Sequence, residues 1–72
     1  MNIAIIGCGN ISSIYLKNLT TLFKNVNVYA VCDLDLEKAL NAQNKFGIEN
    51  VLTSEQIFSD KNIDLVLNLT TP

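Results

Sequence analysis

Apolar and polar positions along the chain alternate between two periods. Asn2–Ile6 reads Asn-Ile-Ala-Ile-Ile, a short apolar and β-branched run that halts at Gly7. Such a run predicts a strand covered on both faces, as in a parallel sheet. From Ile11 the spacing lengthens: Ile11, Ile14, Tyr15, Leu19, Leu22 and Phe23 recur every three or four residues, the stripe of one helical face. Residues 26–32 (Val-Asn-Val-Tyr-Ala-Val-Cys) return to β character and stop at Asp33. Asp35 then stands where a helix cap belongs, Leu36, Ala39, Leu40 and Phe46 form an inner stripe, and Gly47 is placed to end the helix. Residues 50–52 predict a short third strand. Thr53-Ser54-Glu55-Gln56 has capping-box spacing and opens a brief helix to about Phe58. Residues 63–69 form a fourth apolar strand, followed by Thr70-Thr71-Pro72.

The order β-α-β-α-β-α-β with short connections predicts an α/β fold: a parallel sheet with right-handed crossovers and helices on both faces. The nucleotide-binding strand order is 3-2-1-4, the N-terminal part of a Rossmann-type domain. Seventy-two residues make one small unit, and 49% apolar content suffices for a core.

Composition removes several functions. Net charge is −2, with five lysines, no arginine and no basic stripe, which argues against a nucleic-acid partner. No apolar run reaches the roughly 20 residues of a membrane span, and residues 2–7 are too short and uncharged at their start for a signal peptide. The expectation is therefore a cytoplasmic protein. Cys8 and Cys32 fit neither a metal nor a disulfide pattern, and both read as buried packing residues. No metal site is expected, and histidine, the commonest general base, is absent.

The chemistry-bearing pattern is Gly7-Cys8-Gly9-Asn10-Ile11-Ser12, a G-x-G-x-x-small sequence between a predicted strand and a predicted helix. In such a turn Gly7 permits the sharp bend, and Gly9 lets a pyrophosphate approach the backbone. Ser12 is small enough for helix–strand packing, and its hydroxyl is a candidate donor to a phosphate oxygen. The helix start at Asn10 and Ile11 offers free N–H groups and partial positive charge to the anion. The plainer alternative is a turn and nothing more. A second feature weighs against it: Asp33 closes the second strand, where a carboxylate accepts the adenosine ribose hydroxyls and repels a 2′-phosphate. With no Arg or Lys in the next four residues, NAD is preferred over NADP. Asp33 alone would also suit a turn, and Asp35 is the better helix cap. Thr70, Thr71 and Pro72 leave the strand expected beside the first, at the crevice where strand order reverses. They either line the dinucleotide or form an ordinary strand exit.

Ile3–Ser12 (Ile-Ala-Ile-Ile-Gly-Cys-Gly-Asn-Ile-Ser), Val-Cys-Asp-Leu-Asp at 31–35 and Asp-Leu-Val-Leu-Asn-Leu-Thr-Thr-Pro at 64–72 together resemble the N-terminal domain of one oxidoreductase family. This is the glucose–fructose oxidoreductase, inositol dehydrogenase and rhizopine-catabolism (Gfo/Idh/MocA) family, and the likeness runs over essentially all 72 residues. It implies an NAD(P)-dependent dehydrogenase of sugars or polyols, usually a homo-oligomer. It carries over cofactor contacts for Gly7, Gly9, Asn10, Ile11, Ser12, Asp33, Thr70, Thr71 and Pro72. The family's catalytic lysine, in a Glu-Lys-Pro motif, and its substrate-side histidine belong to later segments. Residues 1–72 are thus expected to be a partial cofactor-binding domain with no catalytic residue. The competing function is a non-catalytic NAD(H)-sensing module. The outer edge of the fourth strand is expected to be unpaired and prone to self-association.

Overall fold

The computed structural model describes residues 1–21 and 25–70, with residues 10–12 described through their backbone only. Seven elements follow in the expected order: β1 (Asn2–Ile6), α1 (Asn10–Thr21), β2 (Asn27–Cys32), α2 (Leu36–Phe46), β3 (Asn50–Val51), α3 (Ser54–Ser59) and β4 (Leu65–Asn68). The strands form one parallel sheet in the order β3-β2-β1-β4. This is the Rossmann-type arrangement, with β1 central and its carboxyl end at Gly7.

The caps are those the sequence spells out. Asp35 accepts from the Glu37 N–H at the start of α2, and Gly47 ends that helix at φ +67° with its N–H donated to the Gln43 carbonyl. Thr53 and Gln56 exchange both bonds of a capping box at α3, which satisfies otherwise orphaned N–H donors.

The sheet buries two unequal faces. Ile3, Ile5, Val28 and Val31 pack with Leu16 of α1 and with Ala39 and Ala42 of α2. Ala4, Ala30 and Cys32 face the other way, against Ile57 of α3. The β1–β2 register jumps from Ile3↔Val28 to Ala4↔Ala30, leaving Tyr29 without a partner on β1. This bulge offsets the two-residue alternation, so Val28 and Val31 reach the same face although they are three apart.

In α1 and α2 only part of the apolar stripe expected from the spacing turns inward: Leu19, Ala39 and Phe46 pack on the core, but other members do not. On α1, Ile14 is 63% and Tyr15 47% exposed, while Leu16 is buried at 1%. At 100° per residue Leu16 lies in line with Leu19, about 60° away, whereas Ile14 points almost opposite. Leu22 and Phe23 lie outside the described residues. On α2 the buried residues are Ala39 and Ala42, with Phe46 packed against them. Leu36 and Leu40 remain exposed. Alanines let that helix approach the sheet closely. Of the cysteines, Cys32 is buried as expected, but Cys8 is only half-buried.

Candidate functional site

The three segments at the carboxyl ends of β1, β2 and β4 meet at Gly7. Its φ of +99° is a conformation L side chains rarely adopt. Its N–H donates to the Cys32 carbonyl at 2.8 Å, so the turn continues the β1–β2 ladder. A Cβ there would lie 3.0 Å from the Thr70 nitrogen and 3.1 Å from the Leu69 carbonyl carbon. Gly7 is therefore required by its own fold.

Gly9 differs. A Cβ built on it meets nothing within 4 Å, and its φ falls outside the left-handed range. Among the described residues neither packing nor backbone conformation calls for glycine here. What remains is the open space itself, beside the N-terminus of a twelve-residue helix. This is the cradle a pyrophosphate needs: bare backbone, adjacent N–H donors and a favourable dipole.

Asp33 is fastened to the same turn. One carboxylate oxygen accepts the Cys8 N–H at 2.8 Å, and the other accepts the Asp35 N–H at 2.8 Å. The Cys8 bond, then the Asp35 bond, and lastly the Lys38 charge hold its carboxyl below the usual range, against a smaller opposing effect of burial. A carboxylate offers about four lone-pair sites, so acceptor capacity remains for two further hydroxyls.

Cys8 is not a nucleophile. Burial first, then the charges of Asp33 and Cys32, push its thiol up to about 11, against a smaller lowering effect of the Cys32 backbone; the thiol itself donates to the Cys32 carbonyl at 3.6 Å. It remains a thiol at neutral pH.

Beside Asp33 opens a cleft of about 410 Å³. Leu34, Leu36, Val51 and Leu52 give it apolar walls, and Thr53, Ser54 and Gln56 rim it from the start of α3. Its mostly apolar surface next to a carboxylate suits a flat heteroaromatic ring joined to a hydroxylated sugar. Of these residues the sequence marks only Asp33 as a ligand contact; Leu36, Leu52, Thr53, Ser54 and Gln56 carry structural signals there. The signal was present in Leu34 and Leu36, two leucines astride a capping aspartate; both are exposed. The helical spacing places Leu36 in the core stripe, but it lines the cleft instead.

Of the remaining expected contacts, Asn10, Ile11 and Ser12 form the first turn of α1, but their side chains lie outside the described residues. Thr70 lies against Gly7 and is held by Asn68, whose side-chain oxygen accepts from the Thr70 N–H at 3.1 Å and from its hydroxyl. Thr71 and Pro72 lie outside the described residues. The structure thus brings Gly7, Gly9, Asp33 and Thr70 to one end of the sheet. Among the described residues, no cluster of potential metal ligands occurs and no helix is long and apolar enough to cross a membrane.

Parallel strands in this order, a glycine turn opening a helix and an acidic residue ending β2 define an NAD-binding Rossmann domain. The chain belongs to the Gfo/Idh/MocA oxidoreductase family, whose NAD-binding Rossmann-fold model matches residues 1–72. It is 32% identical over 72 residues to an inositol 2-dehydrogenase of Renibacterium salmoninarum, covering 100% of this chain and 22% of that protein. Among solved structures, it is similar to the myo-inositol dehydrogenase of Lactobacillus casei in complex with NAD(H) and myo-inositol. That likeness has a TM-score of 0.91 at 26% identity, over 97% of this chain and 21% of the other. It is also similar to the myo-inositol 2-dehydrogenase of Lactobacillus plantarum, with a TM-score of 0.87 at 25% identity over 99% and 21% of the two chains. The chain spans about a fifth of the length of these relatives.

Proposed function

We propose that the chain is the dinucleotide-binding part of an NAD-dependent dehydrogenase that oxidises a carbinol carbon of a polyol or sugar-like substrate. The observation that carries the cofactor reading is the Asp33 carboxylate, bonded to the turn at Cys8 and standing at the mouth of the apolar cleft. Leu34, Leu36 and Leu52 would hold the adenine, and Asp33 would accept the ribose hydroxyls. The pyrophosphate rests over Gly9 and the first turn of α1, formed by Asn10, Ile11 and Ser12. Thr70, in close contact with Gly7, is assigned to the nicotinamide half, and by the family resemblance so are Thr71 and Pro72. When bound, the nicotinamide supplies the carbon that accepts hydride. This chain's residues bind and orient it, and the carboxylate of Asp33 selects hydroxyls over phosphate.

The substrate class rests on the relatives, which are inositol dehydrogenases. A cytoplasmic homo-oligomer belongs to the same reading. Calorimetric titration of the complete polypeptide with NADH, beside Asp33→Ala, tests the cofactor site. An assay of NAD reduction across polyols and aldoses tests the substrate. Losing hydrogen bonds to a charged acceptor, about 1.5–3 kcal/mol, should weaken NADH binding by about ten- to a hundredfold in the variant. A folded protein that ignores NADH sinks the proposal. Binding without turnover of any CH–OH compound points instead to a dinucleotide sensor.

A further inference from the structure

At the exit of β4 one hydroxyl group is held with a defined polarity. The β1–β4 ladder pairs Ile6 with Asn68, and the Leu69 N–H adds one more bond, to the Ile6 carbonyl at 2.8 Å. Beyond it the Thr70 N–H turns back and donates to the Asn68 side-chain oxygen at 3.1 Å. That oxygen also accepts the Thr70 hydroxyl. An amide side chain can present either of its ends, but a peptide N–H only donates, so the end facing Thr70 is the oxygen. The hydroxyl that shares this oxygen is therefore the donor in its own bond, and its one proton is committed. The Thr70 methyl group lies against Gly7, where a Cβ would come within 3.1 Å of it. Hydroxyl and methyl are thus both placed, which fixes the side chain's rotamer. Thr70 is exposed, so what its oxygen still offers to a ligand is lone pairs alone.

Resting on the assignment of Thr70 to the nicotinamide half, we propose that Asn68 is a positioning residue that fixes Thr70 as a hydrogen-bond acceptor. Thr70 then takes a donor group of that half, a ribose hydroxyl or the carboxamide N–H, and does not serve the pyrophosphate. A pyrophosphate oxygen only accepts, so it gains nothing from a hydroxyl whose proton is held by Asn68. Ribose hydroxyls and the carboxamide N–H both donate, and a lone pair fixed in place suits either. Labour at the carboxyl end of the sheet is divided accordingly. The bare backbone at Gly9 and the first turn of α1 face the anion, while Asn68 and Thr70 face a neutral donor. Asn68 acts through Thr70 and needs no contact with the ligand itself.

The test measures dissociation constants on the complete polypeptide for NADH, for ADP-ribose, which lacks the nicotinamide, and for ADP, which lacks the second ribose as well. The variants are Thr70→Val, which keeps the shape and loses the hydroxyl, Asn68→Ala, Asn68→Asp, and Asn68→Ala combined with Thr70→Val. Thr70→Val should weaken NADH by about three- to tenfold, the worth of one hydrogen bond, and leave ADP unchanged. ADP-ribose tells the two donors apart: it weakens with NADH if the ribose hydroxyl is the donor, and stays level with ADP if the carboxamide is. Asn68→Ala should shift the NADH/ADP ratio in the same direction, and Asn68→Asp, which keeps the acceptor, should restore it. Combined with Thr70→Val, Asn68→Ala should add nothing further to that ratio. Equal weakening of NADH and ADP by Thr70→Val puts the hydroxyl on the pyrophosphate and overturns the proposal. A ratio that Asn68→Ala leaves unchanged, whatever happens to the melting temperature, makes Asn68 a turn residue only and overturns its positioning role. Failure of the unsubstituted protein to bind NADH overturns the proposed function on which this inference rests.

Discussion

The two turn glycines answer to different masters, and substitution separates them. Gly7 holds φ +99° and leaves 3.0 Å between a would-be Cβ and the Thr70 backbone. Gly7→Ala therefore strains the backbone and displaces the exit of β4, at a cost of about 1–3 kcal/mol or more. Gly9→Ala meets no atom of the described residues within 4 Å. Its stability should stay within about 0.5 kcal/mol of the parent, while NADH affinity falls by about tenfold or more as the methyl group occupies the phosphate's approach. Thermal melts with and without NADH distinguish the two: Gly7→Ala lowers the midpoint in both, and Gly9→Ala removes mainly the ligand-induced rise. Equal destabilisation by both would remove the argument that Gly9 answers to a ligand. Of these roles, the sequence shows the glycine spacing. It does not show which glycine is kept by the fold, because that depends on Thr70, sixty-odd residues away in the chain.

At the scale of elements, legibility follows the range of the interaction that determines each feature. Caps are local, and Asp35, Gly47 and Thr53 were all readable from their immediate neighbours. Inner faces are not local. Five apolar residues of α1 (Ile11, Ile14, Tyr15, Leu16 and Leu19) define a broad arc, and only the position of the sheet decides that Leu16, not Ile14, faces it. On α2 the leucines were the natural choice for the core, yet Leu36 is diverted to the wall of the cleft beside Asp33. The β2 bulge was equally hidden, since 26–32 reads as an unbroken run. The capping box of α3 couples local structure to the proposed site, because Thr53, Ser54 and Gln56 also rim that cleft. A helix of six residues has little intrinsic stability, so its cap matters more than usual. Thr53→Ala should cost about 1 kcal/mol, with Thr53→Ser restoring most of it. Chemical denaturation of the three proteins checks this; an unchanged midpoint in Thr53→Ala would show α3 to be held by tertiary packing alone.

For the molecule as a whole, the unequal faces of the sheet decide where it is vulnerable. One face is covered by two helices of twelve and eleven residues. The other depends on α3, whose buried residue is Ile57, set against Ala4, Ala30 and Cys32. The small residues beneath it explain the arrangement: alanines leave room for one branched side chain to reach the sheet, and they cannot expand to fill its loss. An Ile57→Ala substitution thus combines lost burial with a cavity, at about 2–5 kcal/mol. A domain of this size has about 0.05–0.15 kcal/mol of stability per residue, or about 4–11 kcal/mol in all. The substitution therefore consumes a large fraction of the total, while Ile57→Val, at about 0.5–1.5 kcal/mol, leaves the fold intact. Urea unfolding followed by circular dichroism should show the alanine variant partly or wholly unfolded in water and the valine variant shifted by a small, measurable amount. If Ile57→Ala instead loses no more than the valine variant, the face under α3 contributes little to the fold, and the single two-helix core beneath α1 and α2 is sufficient to hold the sheet.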